Sequence, residues 1–269
     1  MKPLPGRLVL LGHPVAHSLS PRFQNAALAA AGVPLTYELL DVPPAELGVT
    51  IARLRSVRAA GNVTVPHKAA VAALCDRLTP TAERIGAVNT FLHEGQALIG
   101  DNTDVNGFRA LSDSVLGPDP RGLRVALLGA GGSAAAVCAV VESWEGARVR
   151  AWARGRARLD ALVARFPGLV EPAASAGEAV RDADVVVNST PVGLHGEELP
   201  IPIGSLPRDA AVMDLAYRVG ETPWVRAARA GGHRAADGQE MLIEQGAHAF
   251  ECWLGIVPDR NVMRAALVA

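Results

Sequence analysis

The chain has 269 residues, of which 49 % are hydrophobic and 4 % aromatic, and a formal net charge of −1. That length holds one large domain or two modest ones. So little charge and so few rings provide neither an attraction for nucleic acid or anionic membranes nor a base-stacking surface. Cys75, Cys138 and Cys252 stand far apart without a C-x-x-C pair. That pattern fits a reducing compartment and thiols that fill core space, and it lacks metal-ligand spacing. The opening MKPLPGRLVLLGHP has an apolar run too short for a secretory signal. The longest uncharged stretch, Val125 to Val141, is shorter than the ~20 residues of a membrane span and is broken by glycines. A soluble, cytoplasmic protein is expected.

Along the chain, short β-rich runs alternate with Ala-rich stretches. RLVLL (7–11) predicts a buried strand, Pro21 opens a helix through Ala31, and LTYELLDV (35–42) predicts a second strand before a helix over 44–57. NVTV (62–65) is a strand ended by Pro66, Ala69 to Arg77 is helical, and AVNTFL (87–92) is a strand. GDNTD follows, with a hinge expected at 101–104, then a helix and the connector LGPDPRGL (116–123). RVALLGAGGSAAAVCAVV then reads as strand, glycine turn and helix, the start of a new unit. Later strands are RVRAWA (148–153), DVVVNS (184–189) and AVMDLA (211–216). The last helices, 239–254 and 260–268, fit either domain on pattern alone. The alternation predicts an α/β protein of two domains with mainly parallel sheets.

GAGGSA (129–134) satisfies the fingerprint G-x-G-x-x-A directly after a strand and at the start of a helix. Gly129 permits the tight turn, Gly131 lets a pyrophosphate approach the backbone, and Ala134 allows close helix–strand packing. The phosphates would meet free N–H groups at the helix start. A dinucleotide fold normally places an acid about twenty positions later for a ribose hydroxyl. Here WARGRAR (152–158) brings Arg154, Arg156 and Arg158 instead, charge that suits a 2′-phosphate and favours NADP over NAD. A ligand-free glycine turn and a solvated arginine face are the plainer readings of the same residues.

Of the 26 basic residues only Lys2 and Lys68 are lysines. Lysine, unlike arginine, can exchange a proton near neutrality, so a lysine in GNVTVPHK (61–68) suits a general acid/base. Ser18 and Ser20 in GHPVAHSLSP precede a helix; Ser20 fits a plain N-cap, and the two hydroxyls also fit a ligand carboxylate. Asn62 and Thr64, two apart, would face the same side of a strand. Four of the seven asparagines fall at 62, 89, 102 and 188. Amides and hydroxyls in such number suit a polyhydroxylated ligand, while turn formation explains any one asparagine alone. His13, His17 and His67 are weaker candidates for a proton carrier.

SLSP (18–21), NVTVPHK (62–68), GAVNT (86–90), GDNTD (100–104), GAGGSA (129–134), VNSTPVG (187–193), DLAY (214–217) and DGQEML (237–242) together resemble the shikimate dehydrogenase family, in order along nearly the whole chain. The resemblance implies an α/β substrate domain (1–102 with 237–269), a Rossmann NADP-binding domain (103–236) and a cleft between them. It implies reversible NADPH-dependent reduction of 3-dehydroshikimate to shikimate in chorismate biosynthesis. Ser18 and Ser20 would hold the substrate carboxylate. Asn62, Thr64, Asn89, Asp104, Tyr217 and Gln245 would surround the ring, and Lys68 with Asp104 would form the proton-transfer pair. Gly129, Ala130, Gly131, Gly132, Ser133, Arg154, Arg158, Thr190, Leu215 and Gly238 would bind NADP, and no metal is implied.

Three departures stand out. Gln24 replaces a common histidine, His67 replaces phenylalanine or leucine, and Ala153, Arg154, Gly155 replace Asn-Arg-Thr, which leaves the discrimination against NAD to charge. Two other functions fit the sequence. One is a quinate or quinate/shikimate dehydrogenase with relaxed or NAD use, against which the paired serines weigh. The other is a cofactor- and ligand-binding paralogue without turnover, against which Lys68 and Asp104 weigh. Monomer and homodimer fit the sequence equally well.

Overall fold

Runs such as LVLLG and VVVN are too short for helices and rich in β-branched or aliphatic side chains, so they bury best as strands. In a computed structural model of the chain, residues 3–268 are described; Lys2 lies outside them. The chain forms two compact units, Met1–Asn106 with Ile243–Ala269, and Gly107–Leu242.

The first unit contains β1 (Leu8–Gly12), α1 (Ser20–Ala30), β2 (Tyr37–Asp41), α2 (Leu47–Ser56), β3 (Ala60–Val63), α3 (Lys68–Ala72), β4 (Arg77–Leu78), α4 (Pro80–Ile85), β5 (Thr90–Glu94) and β6 (Ala97–Asp101), and the start of α5 (Asp104–Leu116). Its sheet has the order β2-β1-β3-β5-β6-β4. β1 pairs in parallel with β2 and β3, and β4 with β6, whereas β5 is antiparallel to both β3 and β6. Val9, Leu11, Ile51, Val63, Phe91 and Leu98 form the core of this sheet and its helices. At Gly61 β3 lies close against β1: a Cβ there would lie 2.0 Å from the Val9 carbonyl oxygen.

The second unit contains the rest of α5, then β7 (Arg124–Leu128), α6 (Gly132–Val141), β8 (Arg148–Trp152), α7 (Arg156–Arg165), β9 (Val170–Pro172), α8 (Ala176–Val180), β10 (Val185–Asn188), β11 (Ala211–Asp214), α9 (Pro223–Ala230) and β12 (Ala235–Ala236). Its sheet, β12-β11-β10-β7-β8-β9, is parallel throughout. Numbered from β7, this is the doubly wound order 3-2-1-4-5-6, with its switch point between β7 and β10. Val186, Val212, Trp224 and Ala228 are buried on one face, and the Trp224 indole donates to the Ile201 carbonyl at 3.1 Å.

α10 (Gln239–Leu254) begins in the second unit and ends in the first, and α11 (Arg260–Val268) follows it. Three contacts tie this C-terminal chain to the first unit. Trp253 stacks on Tyr37 with centroids 5.8 Å apart, its indole donates to the Thr90 hydroxyl at 2.9 Å, and α11 packs on α1.

The structure corrects several sequence expectations. β3 ends at Val63, so Thr64 is no strand neighbour of Asn62; the His67 N–H closes a turn on the Thr64 carbonyl instead. The helix expected to reach Arg77 stops at Ala72, and Arg77 pairs with β6. The strand expected at 87–92 is Thr90–Glu94, and it returns as β6, which the sequence reading missed. Of the three cysteines only Cys138 is fully buried; Cys75 is partly so, and burial pushes its thiol up to about 11. Among the described residues no helix is long and apolar enough to cross a membrane.

Gly61→Ala drives a methyl into the β1 backbone. It should lower the unfolding free energy by about 1–3 kcal/mol, seen as a lower urea midpoint. An unchanged midpoint would contradict this β1–β3 spacing.

Candidate active site

Two of the sheet pairings in the first unit bring its polar residues together. Asn62 is the third residue of β3, and Asn89 immediately precedes β5. The antiparallel pairing of these strands lets Asn62 Nδ2 donate to the Asn89 carbonyl at 3.1 Å, and the Val63 N–H donates to the same carbonyl at 2.7 Å. The next hairpin delivers GDNTD. Asn89 N–H donates to the Asp101 carbonyl at 3.0 Å, and Thr103 N–H donates to Asn89 Oδ1 at 2.7 Å. Asn102 Nδ2 donates to the Ala87 carbonyl at 2.9 Å, and its Oδ1 accepts the Asp104 N–H at 3.1 Å. The stretch read as a hinge is therefore fixed through side chains at three successive residues. Asp104 occupies the first turn of α5, where the helix dipole favours a carboxylate.

Lys68 opens α3 and meets that carboxylate, Nζ to Oδ2, at 2.5 Å; the side chains are 14 % and 6 % exposed. Asp104 Oδ1 accepts from Asn89 Nδ2 at 2.8 Å, and Gln245 Oε1 on α10 lies 3.3 Å from the same nitrogen. The structure thus brings together Asn62, Lys68, Asn89, Asp104 and Gln245. Two supporting residues escaped the sequence reading: Tyr37, whose hydroxyl donates to Asn62 Oδ1 at 2.8 Å, and Thr103, whose hydroxyl bonds Asn89. Tyr37 is one of only two tyrosines in the chain, and that scarcity was the available signal.

Ser18 and Ser20 sit apart from this cluster in the hydrogen-bond pattern. Ser20 does not cap α1: it is the first helical residue, the N-cap is Leu19, and no side chain caps the helix. Ser18 Oγ accepts the Ser20 N–H at 3.2 Å, while the nearly buried Ser20 hydroxyl bonds no other described residue. Thr64 lies in the turn after β3, partly buried, its methyl against Gly12. The histidines have structural posts. His67 is buried with Nε2 2.7 Å from the Val42 carbonyl, and His13 pairs with Asp41 at the surface.

In the second unit the β7–α6 turn lies beside the sheet's switch point. Gly129 has φ +117°, and a Cβ there would lie 2.4 Å from Ser189 Oγ. Ala130 completes the turn. Gly131 is the N-cap of α6, with no capping side chain and open space where a Cβ would project, and Gly132 and Ser133 begin the helix. Arg154 follows β8, and Arg158 lies in the first turn of α7; both are exposed. Arg156 pairs with Asp160 at 2.9 Å, whereas Arg154 and Arg158 form no ion pair among the described residues. Residues 153–158, directly after β8, include no carboxylate. An uncapped helix start, room at Gly131 and two uncommitted guanidinium groups fit a dinucleotide with an extra phosphate.

Thr190, Leu215 and Gly238 meet at the ends of β10 and β11. Thr190 bonds Asn188, Leu215 N–H donates to the Asn188 carbonyl at 2.8 Å, and a Cβ on Gly238 would lie 2.4 Å from the Leu215 oxygen. Tyr217 follows on the same segment, partly buried. Asp214, to which the sequence assigns no role of its own, is fully buried. Burial pushes its carboxyl up to about 6, against the opposing hydrogen bonds of Thr222, Asn188 and Ala216.

Residues 10–91 match the shikimate dehydrogenase substrate binding domain, and residues 238–268 match the shikimate 5'-dehydrogenase C-terminal domain. A shikimate dehydrogenase (NADP(+)) of Rubrobacter xylanophilus is 44 % identical over 96 % of this chain and 94 % of its own length.

The chain belongs to the shikimate dehydrogenase family.

Among solved shikimate dehydrogenases, the Thermus thermophilus enzyme in complex with NADP(H) and shikimate is 39 % identical, with a TM-score of 0.84 and coverage of 97 % and 98 % of the two chains. A quinate dehydrogenase of Corynebacterium glutamicum in complex with NAD is 29 % identical, with a TM-score of 0.85 and coverage of 96 % and 97 %.

A carboxyl raised by burial holds its proton more tightly folded than unfolded, so its contribution to stability falls as pH rises from about 4 to about 6 and stays lost above. A rise of roughly two units corresponds to about 3 kcal/mol. Urea titrations of wild type and Asp214→Asn at acid and neutral pH should show the difference moving toward the Asn variant as pH rises. A constant difference would mean that Asp214 titrates normally.

Proposed function

We propose that this chain reduces 3-dehydroshikimate to shikimate with NADPH, reversibly, as a step of aromatic amino-acid biosynthesis. The first unit takes the substrate and the second the dinucleotide. The observation that carries the reading is the Lys68–Asp104 pair, set beside the neutral amides of Asn89 and Gln245. Family membership and the domain matches at 10–91 and 238–268 support it.

The bound dinucleotide supplies the hydride. Lys68 delivers a proton from Nζ to the oxygen of the forming alcohol and takes it back in the reverse direction. Its ammonium also stabilises negative charge as that charge develops on the oxygen. Asp104 holds the ammonium in place and accepts from a substrate hydroxyl. An arginine at 68 would carry the charge but could hardly release the proton.

Ser18 and Ser20 bind the substrate carboxylate, for which the uncommitted Ser20 hydroxyl is suited. Asn62, Thr64, Asn89, Tyr217 and Gln245 address the ring and its hydroxyls. On the dinucleotide side the 129–133 turn takes the pyrophosphate, Arg154 and Arg158 the 2′-phosphate, and Thr190, Leu215 and Gly238 the other nucleotide half. The paired serines favour shikimate over quinate.

Initial rates with shikimate or quinate crossed against NADP or NAD test the whole reading: the shikimate/NADP pair should dominate. A dominant quinate or NAD rate would overturn the specificity, and silence in all four would leave a binding protein without turnover. Lys68→Ala should lower kcat by about 10²–10⁴-fold with little change in the KM for shikimate. A large KM rise with kcat intact would make Lys68 a binding residue. Arg154→Ala should raise the KM for NADP by about tenfold and leave that for NAD unchanged.

A further inference from the structure

Asn188, Asp214 and Thr222 are each fully buried, at the ends of β10 and β11 and at the N-cap of α9. The Asp214 carboxylate accepts three hydrogen bonds: Asn188 Nδ2 at 2.8 Å and the Ala216 N–H at 3.1 Å on Oδ1, and the Thr222 hydroxyl at 2.8 Å on Oδ2. No cation pairs with it among the described residues. The β10–β11 ladder is made by backbone groups and does not need this side chain. A buried carboxylate costs more to desolvate than an amide of the same shape, so its placement calls for a reason beyond strand pairing.

The reason lies in the Asn188 amide. An ionised carboxylate can only accept, so it fixes the NH₂ end of Asn188 toward itself. The carbonyl end then faces Thr190, where Oδ1 accepts the backbone N–H at 3.0 Å and the hydroxyl at 2.6 Å. This segment lies directly against the glycine turn. Ser189 donates to the Leu128 carbonyl from both its N–H and its hydroxyl, and Gly129 is too close to Ser189 Oγ to accept a side chain. By accepting the Ala216 N–H, Asp214 Oδ1 also fixes the segment that presents Leu215 and Tyr217.

We infer that Asp214 is a positioning residue: its carboxylate sets the Asn188 amide, and through that amide the Thr190 hydroxyl beside the glycine turn. The inference rests on the reading of that turn as the NADP site. Asp214 touches neither the dinucleotide phosphates nor the reacting atoms in this role; it acts through Asn188.

Calorimetric titration of NADP into the whole protein tests it. Asp214→Ala should weaken NADP binding by about tenfold, and Thr190→Val should weaken it by a similar factor. The double variant should be no weaker than Asp214→Ala alone, because both changes break one relay. Asp214→Asn should bind within about twofold of wild type, since its oxygen still accepts from Asn188 and Ala216 while its NH₂ faces Thr222. Wild-type affinity in Asp214→Ala, an Asn variant as weak as the Ala variant, or multiplying losses would each overturn the inference and leave the proposed function standing. A wild-type protein that binds no NADP would overturn both. If Asp214→Ala does not fold, Asn188→Ala breaks the relay at its middle member. It too must lose about tenfold and show no added loss with Thr190→Val.

Discussion

A lysine ammonium held against a carboxylate with both side chains almost out of water is the constraint around which the first unit is arranged. Desolvating two charges can cost more than their attraction returns unless further hydrogen bonds satisfy the carboxylate. Here Asn89 Nδ2 supplies one to Asp104 Oδ1, and Asn89 is itself held by Thr103 and by the two neighbouring backbone segments. The β5–β6 hairpin, in which β5 runs against the rest of the sheet, has its use here. Without that hairpin, GDNTD would not return beside Asn89. Removing one partner of such a pair leaves the other charge buried, typically at a cost of about 3–5 kcal/mol. The arrangement therefore resists piecemeal change.

The second unit shows a related device with a different balance. Asp214 is also buried and multiply bonded, yet it has hydroxyl, amide and backbone donors in place of a cation, so burial outweighs the hydrogen bonds and its carboxyl rises. Thr222 joins two roles at that site. Its hydroxyl donates to Asp214 and also accepts the Val225 N–H as the cap of α9, so the start of the helix and the end of β11 are fixed together. Both units thus use acidic side chains to hold neighbouring backbone segments near the ends of strands.

Much of this was legible in the sequence because several signals agreed locally. GAGGSA between an apolar run and an alanine-rich helix marked a strand, a turn and a helix, and the structure places the turn after β7 with α6 beginning at Gly132. The rarity of lysine singles out Lys68 from the sequence alone. Boundaries fared worse where a turn competes with a strand. NVTV has strand propensity to Val65, but the His67 N–H closes a turn on Thr64 and pairing ends at Val63. Ser20 shows the converse failure. Its residue type favours capping, yet Ser18 accepts its N–H and Ser20 enters the helix. Tyr37, Thr103 and Asp214 were hidden for another reason: each acts on a neighbour contributed by a different segment, and no spacing within its own segment reveals that partner.

Arg154 and Arg158 stand in solvent, and Ala153 and Gly155 offer no side-chain hydrogen bond beside them. Discrimination that depends on exposed guanidinium groups is screened by mobile ions, whose reach is about 10 Å at 0.1 M salt. If Arg154 and Arg158 hold the 2′-phosphate as proposed, the choice between the two dinucleotides belongs partly to the medium. On that reading, concentrated electrolyte reduces the advantage of the extra phosphate, whereas the Lys68–Asp104 pair, largely shielded from solvent, is screened much less.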